Sequence, residues 1–219
     1  MTVDTQPAPR FPDPRDFGFT VLDEAEIPAE LTALVGQVRS LVDAVAHTEA
    51  GPEALERARA AAAEATAALG GERRAIGAMV RHTRPDGGAE YGTVTNIVAG
   101  PTNPAAPPLR LERDGDGLRG EVVLGGVYQG PPGLVHGGWI AALLDQALGS
   151  AANAAGVPCL TAKLDVDYRD PTPLNVPLHI TARVTGAERR KVFVSAEIRH
   201  NGEVTAEGTA IMVRIPLPG

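Results

Sequence analysis

The spacing of the hydrophobic positions changes along the chain, and it first follows a helical period. Apolar residues recur every three to four positions at Ile27, Leu31, Leu34, Val35, Val38, Leu41, Val42 and Val45. This spacing predicts an amphipathic helix that ends at Gly51-Pro52. The segment from Glu53 to about Leu69 is alanine-rich and predicts a second helix, closed by Gly70-Gly71. Because neither helix is apolar enough to stand alone, we expect a hairpin that packs on something else.

The regions on either side of these helices show no clear period. Residues 1–26 combine repeated prolines with mixed charges, which predicts an extended arm, either disordered or draped over a partner. Residues 71–107 are harder to interpret, with a third short helix at Arg73 to Arg84 as one option. We therefore divide the chain into an extended arm (1–26), a helical extension of two to three helices (27–90) and a second domain (91–219).

From Leu109 onward the period becomes two. Apolar and polar residues alternate at 118–124, 160–168, 178–184 and 192–198, with a last strand of less certain phase at 203–214. Asn201-Gly202 is a strong hairpin signal, whereas Thr185 to Arg190 predicts a looser connection. Between the first two strands, residues 137–154 are apolar on nearly every side. The order predicts an α+β fold in which a curved antiparallel sheet wraps one buried helix, with a second subunit completing the cover.

Composition limits the kinds of partner. The formal net charge of −7 argues against nucleic acid or an anionic membrane as the main partner, although it permits a local basic patch. Cys159 is the only cysteine, so no disulfide can form within the chain. The first residues do not resemble a secretory signal, and no apolar run approaches the roughly 18 residues of a membrane span. We expect a cytoplasmic protein without membrane insertion.

The most unusual chemical feature is a carboxylate, Asp145, inside the apolar helix. Burying it costs several kcal/mol unless it is hydrogen-bonded, neutralised or used. The structural alternative is that it faces a wet groove or caps a neighbouring loop. Gly137 and Gly138 open the same helix, where free N–H groups and the positive end of the dipole can polarise a carbonyl oxygen. Gly138 and Asp145 are about 10 Å apart by helix rise, so a site at a dimer interface is our hypothesis.

These residues carry a resemblance to a known family. The runs GLVHGGWIAALLDQALGSAA, TAKLDVDYRDPTPLNVPLHITARV and RRKVFVSAEI arrive in the family's order within residues 103–214. They resemble the hot-dog-fold acyl-CoA thioesterases, nearest the PaaI-like group and the thioesterase superfamily member 4 type. The resemblance implies a hot-dog fold with five to six strands, paired across a dimer. It says nothing about the arm and helices before about residue 90.

The resemblance also implies site residues. Asp145 falls at the family's catalytic carboxylate, as general base on water or as nucleophile, and Gly138 at the residue whose N–H polarises the thioester carbonyl. Thr161 matches a hydroxyl that positions the attacking water. Since Thr161 is on the polar phase of its strand, it must face the partner subunit or lie at a bulge. His136, with Gly137, is expected to be an orienting group, and a merely structural histidine at a turn is the alternative.

The resemblance further implies that the basic cluster Arg189-Arg190-Lys191 holds the phosphates of coenzyme A. Its structural alternative is a solvated hairpin end, which is the usual outcome for a run of charges. No zinc-ligand spacing, phosphate loop or serine elbow is present, so we expect no metal and no cofactor, coenzyme A being part of the substrate. Trp139 and Tyr128 are candidates for an acyl pocket or for core packing, and Cys159 is not expected to be a nucleophile.

Together these observations predict an acyl-CoA hydrolase of fatty acid metabolism that forms a homodimer or homotetramer. One alternative is an enoyl thioester hydratase on the same fold, which needs a histidine and an acid that converge on the substrate. The other is a non-catalytic acyl-CoA-binding or scaffold protein, in which the helical hairpin docks a partner. The length and nature of the acyl group stay open.

Overall fold

The computed structural model describes residues 13–83 and 88–215. Its elements, in chain order, are β1 (Val21–Asp23), α1 (Ala29–His47), α2 (Pro52–Ala68), β2 (Met79–Thr83), β3 (Ala89–Thr93), β4 (Arg110–Asp114), β5 (Gly117–Val123), α3 (Gly137–Ala154), β6 (Cys159–Tyr168), β7 (Pro177–Glu188), β8 (Lys191–His200) and β9 (Glu203–Arg214).

The second half of the chain forms one six-stranded antiparallel sheet around α3. Its strand order is β4-β5-β7-β8-β9-β6, and the pairs β4-β5, β7-β8 and β8-β9 are sequence-adjacent hairpins. The chain crosses from β5 to the far edge strand β6 through α3, and it crosses back from β6 to β7. The helix contacts β4 to β9. The predicted buried helix and the predicted antiparallel sheet of five to six strands are both confirmed.

Burial of α3 accounts for much of the core. Leu143, Leu144 and Leu148 are fully buried against sheet residues such as Leu178 and Ile180. Each such side chain contributes about 1.5–3 kcal/mol relative to an exposed one. The helix is not covered all round, because residues 138, 142, 145 and 149 lie along one side of it and none of them is buried. The uncovered side carries Gly138 and Asp145.

Two details of the second half differ from the sequence-based expectation or refine it. The looser connection predicted at Thr185 to Arg190 is shorter, since β7 continues to Glu188 through a register shift between Val184 and Gly186. Only Arg189 and Arg190 remain in the turn, and Arg189 adopts a φ of 52° there. The Asn201-Gly202 hairpin is present, with both residues at positive φ.

The first half contains a small sheet that the sequence did not reveal. β1 pairs parallel with β2, and β2 pairs antiparallel with β3. The optional third helix at Arg73 to Arg84 is therefore wrong for its described part, because Met79–Thr83 is a strand. The extended arm needs a similar correction, since β1 and two short 3-10 turns lie within residues 13–26. The part of the predicted arm at residues 1–12 lies outside the described residues.

The two predicted helices of the extension are present as α1 and α2. α1 joins the second half through Arg39, whose guanidinium donates from Nε to the Ala106 carbonyl at 3.0 Å and from Nη2 to the Asn103 carbonyl at 3.3 Å. The expected hairpin contact is not formed, because α1 and α2 do not pack along each other. No residue of α2 is buried.

Candidate active site

The first turn of α3 is capped by the histidine that precedes it. His136 has extended backbone angles, and its Nδ1 accepts a hydrogen bond from the Gly138 N–H at 2.9 Å. A helix start leaves its first N–H groups without intrahelical partners, so this side chain satisfies one of them. Because Nδ1 acts as the acceptor, the ring carries its proton on Nε2 and is neutral in this arrangement. The Gly138 N–H is thus already engaged.

The two glycines lie directly against side chains of the site. A Cβ on Gly138 would lie 3.1 Å from Nδ1 of His136, and a Cβ on Gly137 would lie 3.4 Å from the Tyr168 hydroxyl. The Tyr168 hydroxyl also donates a hydrogen bond to the Gly137 carbonyl at 3.0 Å. Tyr168 is therefore part of the site. The sequence did not predict this role, because the alternating pattern identified Tyr168 only as a strand residue.

The second group of the site is a carboxylate and a hydroxyl. The Thr161 hydroxyl donates to Oδ1 of Asp145 at 2.9 Å, joining the edge strand β6 to the middle of α3. Asp145 is half-buried and Thr161 is exposed. One carboxylate lone pair is thus occupied, and Oδ2 is left for other partners.

A β-bulge explains how Thr161 reaches the helix. Thr161 pairs with Met212, whereas Lys163 pairs with Ile211, so Ala162 is an extra residue in β6. After the bulge, the even-numbered residues Leu164 and Val166 face the helix. Before the bulge, the odd-numbered Thr161 faces the same way, because the extra residue shifts the alternation of the strand by one position. Of the two placements that the sequence allowed, the bulge is the one found.

Within one chain the two groups remain apart. Gly138 and Asp145 lie on the same side of α3, separated by about two turns, or about 10 Å of helix rise. β6 runs along this side, with Thr161 touching Asp145 and Tyr168 touching Gly137. Since β6 is the last strand of the sheet, the whole arrangement lies at an open edge.

The basic cluster lies near the same end of the sheet. Arg189 and Arg190 form the turn between β7 and β8, and Arg190 donates from Nη2 to the Arg214 carbonyl at 3.3 Å. Lys191 pairs with Val213, which in turn pairs with Leu160, the residue before Thr161. All three cluster residues are exposed, and none forms an ion pair with another described residue. Lys191 points away from the helix, because the next residue, Val192, is buried.

The remaining candidates are accounted for by packing. The rings of Tyr128 and Trp139 meet edge to face with centroids 4.9 Å apart, just before and just inside α3. Burial raises the pKa of the Cys159 thiol, which disfavours the reactive thiolate. Within residues 13–83 and 88–215 no group of three or more His, Cys, Asp or Glu side chains is arranged to hold a metal ion. In the same ranges no helix is both long and apolar enough to cross a membrane.

Comparison with known proteins bears directly on this geometry. A family model of the thioesterase superfamily matches residues 132–207, which include the His136 turn, Asp145 and Thr161. The acyl-coenzyme A thioesterase THEM4 of Xenopus laevis is 38% identical over 93 residues, 42% of this chain and 42% of that protein. THEM4 of Rattus norvegicus is 37% identical over 94 residues, 42% of this chain and 40% of its own. The chain thus spans about two fifths of the length of these curated relatives.

A solved structure matches a larger part of the chain. The crystal structure of a thioesterase superfamily protein has 34% sequence identity and a TM-score of 0.76, and the match covers 89% of this chain and 100% of that one. The chain belongs to the thioesterase superfamily, and its sheet and central helix form the hot-dog fold. Since 89% of 219 residues is about 195, the match also includes much of the region before β4.

Proposed function

We propose that this protein hydrolyses acyl-CoA thioesters in the cytoplasm, at sites shared between two copies of the chain. The observation that carries the proposal is the hydrogen bond between Thr161 and Asp145 at 2.9 Å, on the side of α3 that also carries the exposed Gly138, in a chain of the thioesterase superfamily. The relatives named above, which are called acyl-coenzyme A thioesterases, support the choice of substrate.

Asp145 is the general base in this proposal. Its Oδ1 is held by Thr161, while Oδ2 accepts a proton from a water molecule whose oxygen attacks the thioester carbonyl carbon. The Thr161 oxygen keeps lone pairs that can accept a hydrogen bond from the same water. The tetrahedral intermediate then collapses, the carbon–sulfur bond breaks, and the leaving thiolate of coenzyme A takes up the proton held by Asp145, which restores the base. The products are the free acid and coenzyme A.

The N–H group of Gly138 stabilises the developing oxyanion. It lies in the first turn of α3, where the helix dipole adds a partial positive charge. Since His136 Nδ1 occupies this N–H, the imidazole has to turn aside or share the donor when the thioester binds. Tyr168 holds the Gly137 peptide from the other side, which fixes the direction in which the next N–H points.

A second copy brings the two groups together. β6 is a ten-residue edge strand, and an uncovered edge offers unpaired backbone groups for pairing with another strand. Leu160 on this strand is 66% exposed, and the adjacent side of α3 is not buried. Antiparallel pairing of β6 with its counterpart would cover both. The same pairing would place Asp145 of one copy opposite Gly138 of the other, and the two-fold symmetry would form two equivalent sites.

The basic cluster supplies the binding of the nucleotide part of coenzyme A. Arg189, Arg190 and Lys191 are exposed cations in a protein of net charge −7, so they form a local site for phosphate groups. Their position two strands from Leu160 lets the pantetheine chain run from this cluster toward Thr161.

Release of free thiol from a panel of acyl-CoAs tests the proposal. Asp145→Asn keeps the shape of the side chain and removes the base, so we expect kcat to fall by about 10²–10⁴-fold. Asp165→Asn is the matched control. Asp165 is an exposed carboxylate of β6, the strand that carries Thr161, and it forms an ion pair with Lys163. The proposal is wrong if the wild type turns over no acyl-CoA, or if both variants keep wild-type activity.

A further inference from the structure

α1 is attached to the rest of the protein by the buried Val35 in its first half and by a polar face in its second half. Arg39, Asp43 and His47 follow one another at intervals of four and therefore share one side of the helix. Arg39 donates to two backbone carbonyls, Asp43 lies near Gly125, and His47 lies in the space that a side chain at Gly126 would need. An amphipathic helix ordinarily buries its apolar face, so this orientation is unusual.

In the second half of α1 the apolar side chains consequently point outward. Leu41, Val42 and Val45 are 40%, 47% and 65% exposed, whereas Leu34 and Val38 on the same stripe are half-buried. At 100° per residue, this stripe is centred roughly 145° around the helix from the Arg39 face. Three large apolar side chains at neighbouring positions form a patch, which differs from the scattered apolar residues of an ordinary surface.

α2 has an uncovered face of a complementary kind. One side of the helix is entirely apolar and mostly alanine, with Ala54, Leu55, Ala58, Ala61, Ala62 and Ala65, and Leu69 follows on the same side. The alanines at 60, 63 and 67 lie on the other side. Leu55 and Leu69 are 47% and 59% exposed, and no residue of α2 is buried. Helical stability in proteins comes mainly from packing of an apolar face rather than from propensity. Residues 13–83 and 88–215 supply no such cover for the apolar side of α2.

We infer that this cover is a second copy of the chain. In the proposed contact, the helical arm of one copy (α1 and α2, residues 29–68) packs on the helical arm of the other, with the bulky stripe of α1 against the alanine stripe of α2. Large side chains on one helix and small ones on the other allow close packing. Since every copy carries both stripes, a two-fold arrangement forms the contact twice.

Size and charge favour a second copy over other partners. Two helices about 25 Å long bury on the order of 500 Å² in one contact, so two reciprocal contacts reach about 1,000 Å², the size of a specific interface. The charges of α2 are largely paired within the helix, Glu56 with Arg59 at 2.6 Å and Glu53 with Arg57 at 3.9 Å. The charged side of α2 is therefore nearly neutral. It lacks the cationic face that binds anionic membranes, and it offers no strong charge to a nucleic acid or an oppositely charged protein.

Disulfide trapping tests the contact. Two full-length chains are co-expressed with different tags in a Cys159→Ser background, one carrying Val45→Cys on the α1 stripe and the other Ala58→Cys on the α2 stripe. Mild oxidation is expected to link the two chains covalently. Ala63→Cys in place of Ala58→Cys is the control, because Ala63 is exposed on the opposite side of α2 and should give at least tenfold less cross-linked product.

A second measurement separates the arm contact from the proposed active site. Val45→Asp should raise the dissociation constant of the assembly at least tenfold in sedimentation equilibrium, while Ala63→Asp should leave it unchanged. Equal cross-linking from Ala58 and Ala63, or dissociation constants that do not differ between the two aspartate variants, would overturn the inference. Neither result bears on the hydrolytic proposal, which rests on the loss of turnover in Asp145→Asn.

Discussion

The Nδ1 atom of His136 lies 2.9 Å from the backbone nitrogen of Gly138 and accepts its hydrogen bond. The N–H that we propose as the oxyanion donor is therefore occupied by a side chain of the same turn. The ring stabilises the start of α3 when no substrate is bound, and substrate binding has to compete with it. This relationship gives His136 a capping role and requires no proton transfer to or from its ring.

Substitution of His136 separates capping from catalysis. His136→Ala removes the cap, so we expect the free energy of unfolding to fall by about 1 kcal/mol. His136→Asn keeps a side chain that caps well and should stay within a few tenths of a kcal/mol of the wild type. Denaturant unfolding measures both, and we expect each variant to retain turnover. Loss of all activity in both folded variants would instead favour acid–base chemistry by His136 and revive the hydratase alternative.

Thr161 is predicted to act through its hydroxyl. Thr161→Val keeps the shape but loses a hydrogen bond to a charged group, worth about 1.5–3 kcal/mol, so kcat should fall by about 10- to 100-fold. Thr161→Ser keeps the hydroxyl and should lose much less activity. Steady-state kinetics at saturating acyl-CoA distinguish the two. Equal activity of the serine and valine variants would exclude the hydroxyl from the reaction.

Tyr168 is predicted to position the Gly137–Gly138 turn. Tyr168→Phe removes the hydrogen bond to the Gly137 carbonyl and keeps the ring that packs on the glycine. We expect kcat to fall by about 2- to 10-fold with little change in KM, because the lost bond is worth about 0.5–1.5 kcal/mol and aligns a donor used in the transition state. A rise in KM at constant kcat would show that Tyr168 binds substrate instead.

The basic cluster is predicted to recognise the nucleotide part of the substrate. A triple variant removes the three charges: Arg189→Asn, Arg190→Ala and Lys191→Ala. Asparagine is used at position 189 because it tolerates the positive φ there. This variant should raise KM for an acyl-CoA by about tenfold or more. The matching acyl-pantetheine thioester lacks the nucleotide phosphates and serves as the control substrate. Its kcat/KM should be the same for the variant and the wild type. A similar loss on both substrates would contradict phosphate binding by the cluster.

The sequence predicts the central helix and its sheet well because their signals are local. His136-Gly137-Gly138 and an all-round apolar run define α3, and clean alternation defines most of the strands. The five-residue strands β2 and β3 were missed because they are short and lie in a region rich in Gly, Pro and Asn, where only Val80 and its neighbours are well buried. Their pairing with each other and with β1 depends on contacts that no local pattern encodes.

The site illustrates the same limit. Asp145 and Thr161 could be selected from the sequence, yet their contact depends on the extra residue Ala162 in β6, and both strand phases are compatible with Thr161-Ala162-Lys163. The capping of Gly138 by His136 and the bond from Tyr168 to Gly137 depend on side-chain directions that period and order do not give. The exposure of the apolar residues in the second half of α1 likewise depends on the contacts of Arg39, which attach the polar side of the helix to the rest of the protein.

Complementation between two inactive chains tests the shared site most directly. Asp145→Asn removes the base, and Gly138→Pro removes the N–H donor in the first helical turn, where proline is tolerated. The purified heterodimer of these two chains has one site with both wild-type groups, so we predict about half of the wild-type activity. A heterodimer of the wild type with a chain carrying both substitutions should be inactive. The reverse pattern, with activity only in the second heterodimer, would contradict the account by placing each site within a single chain.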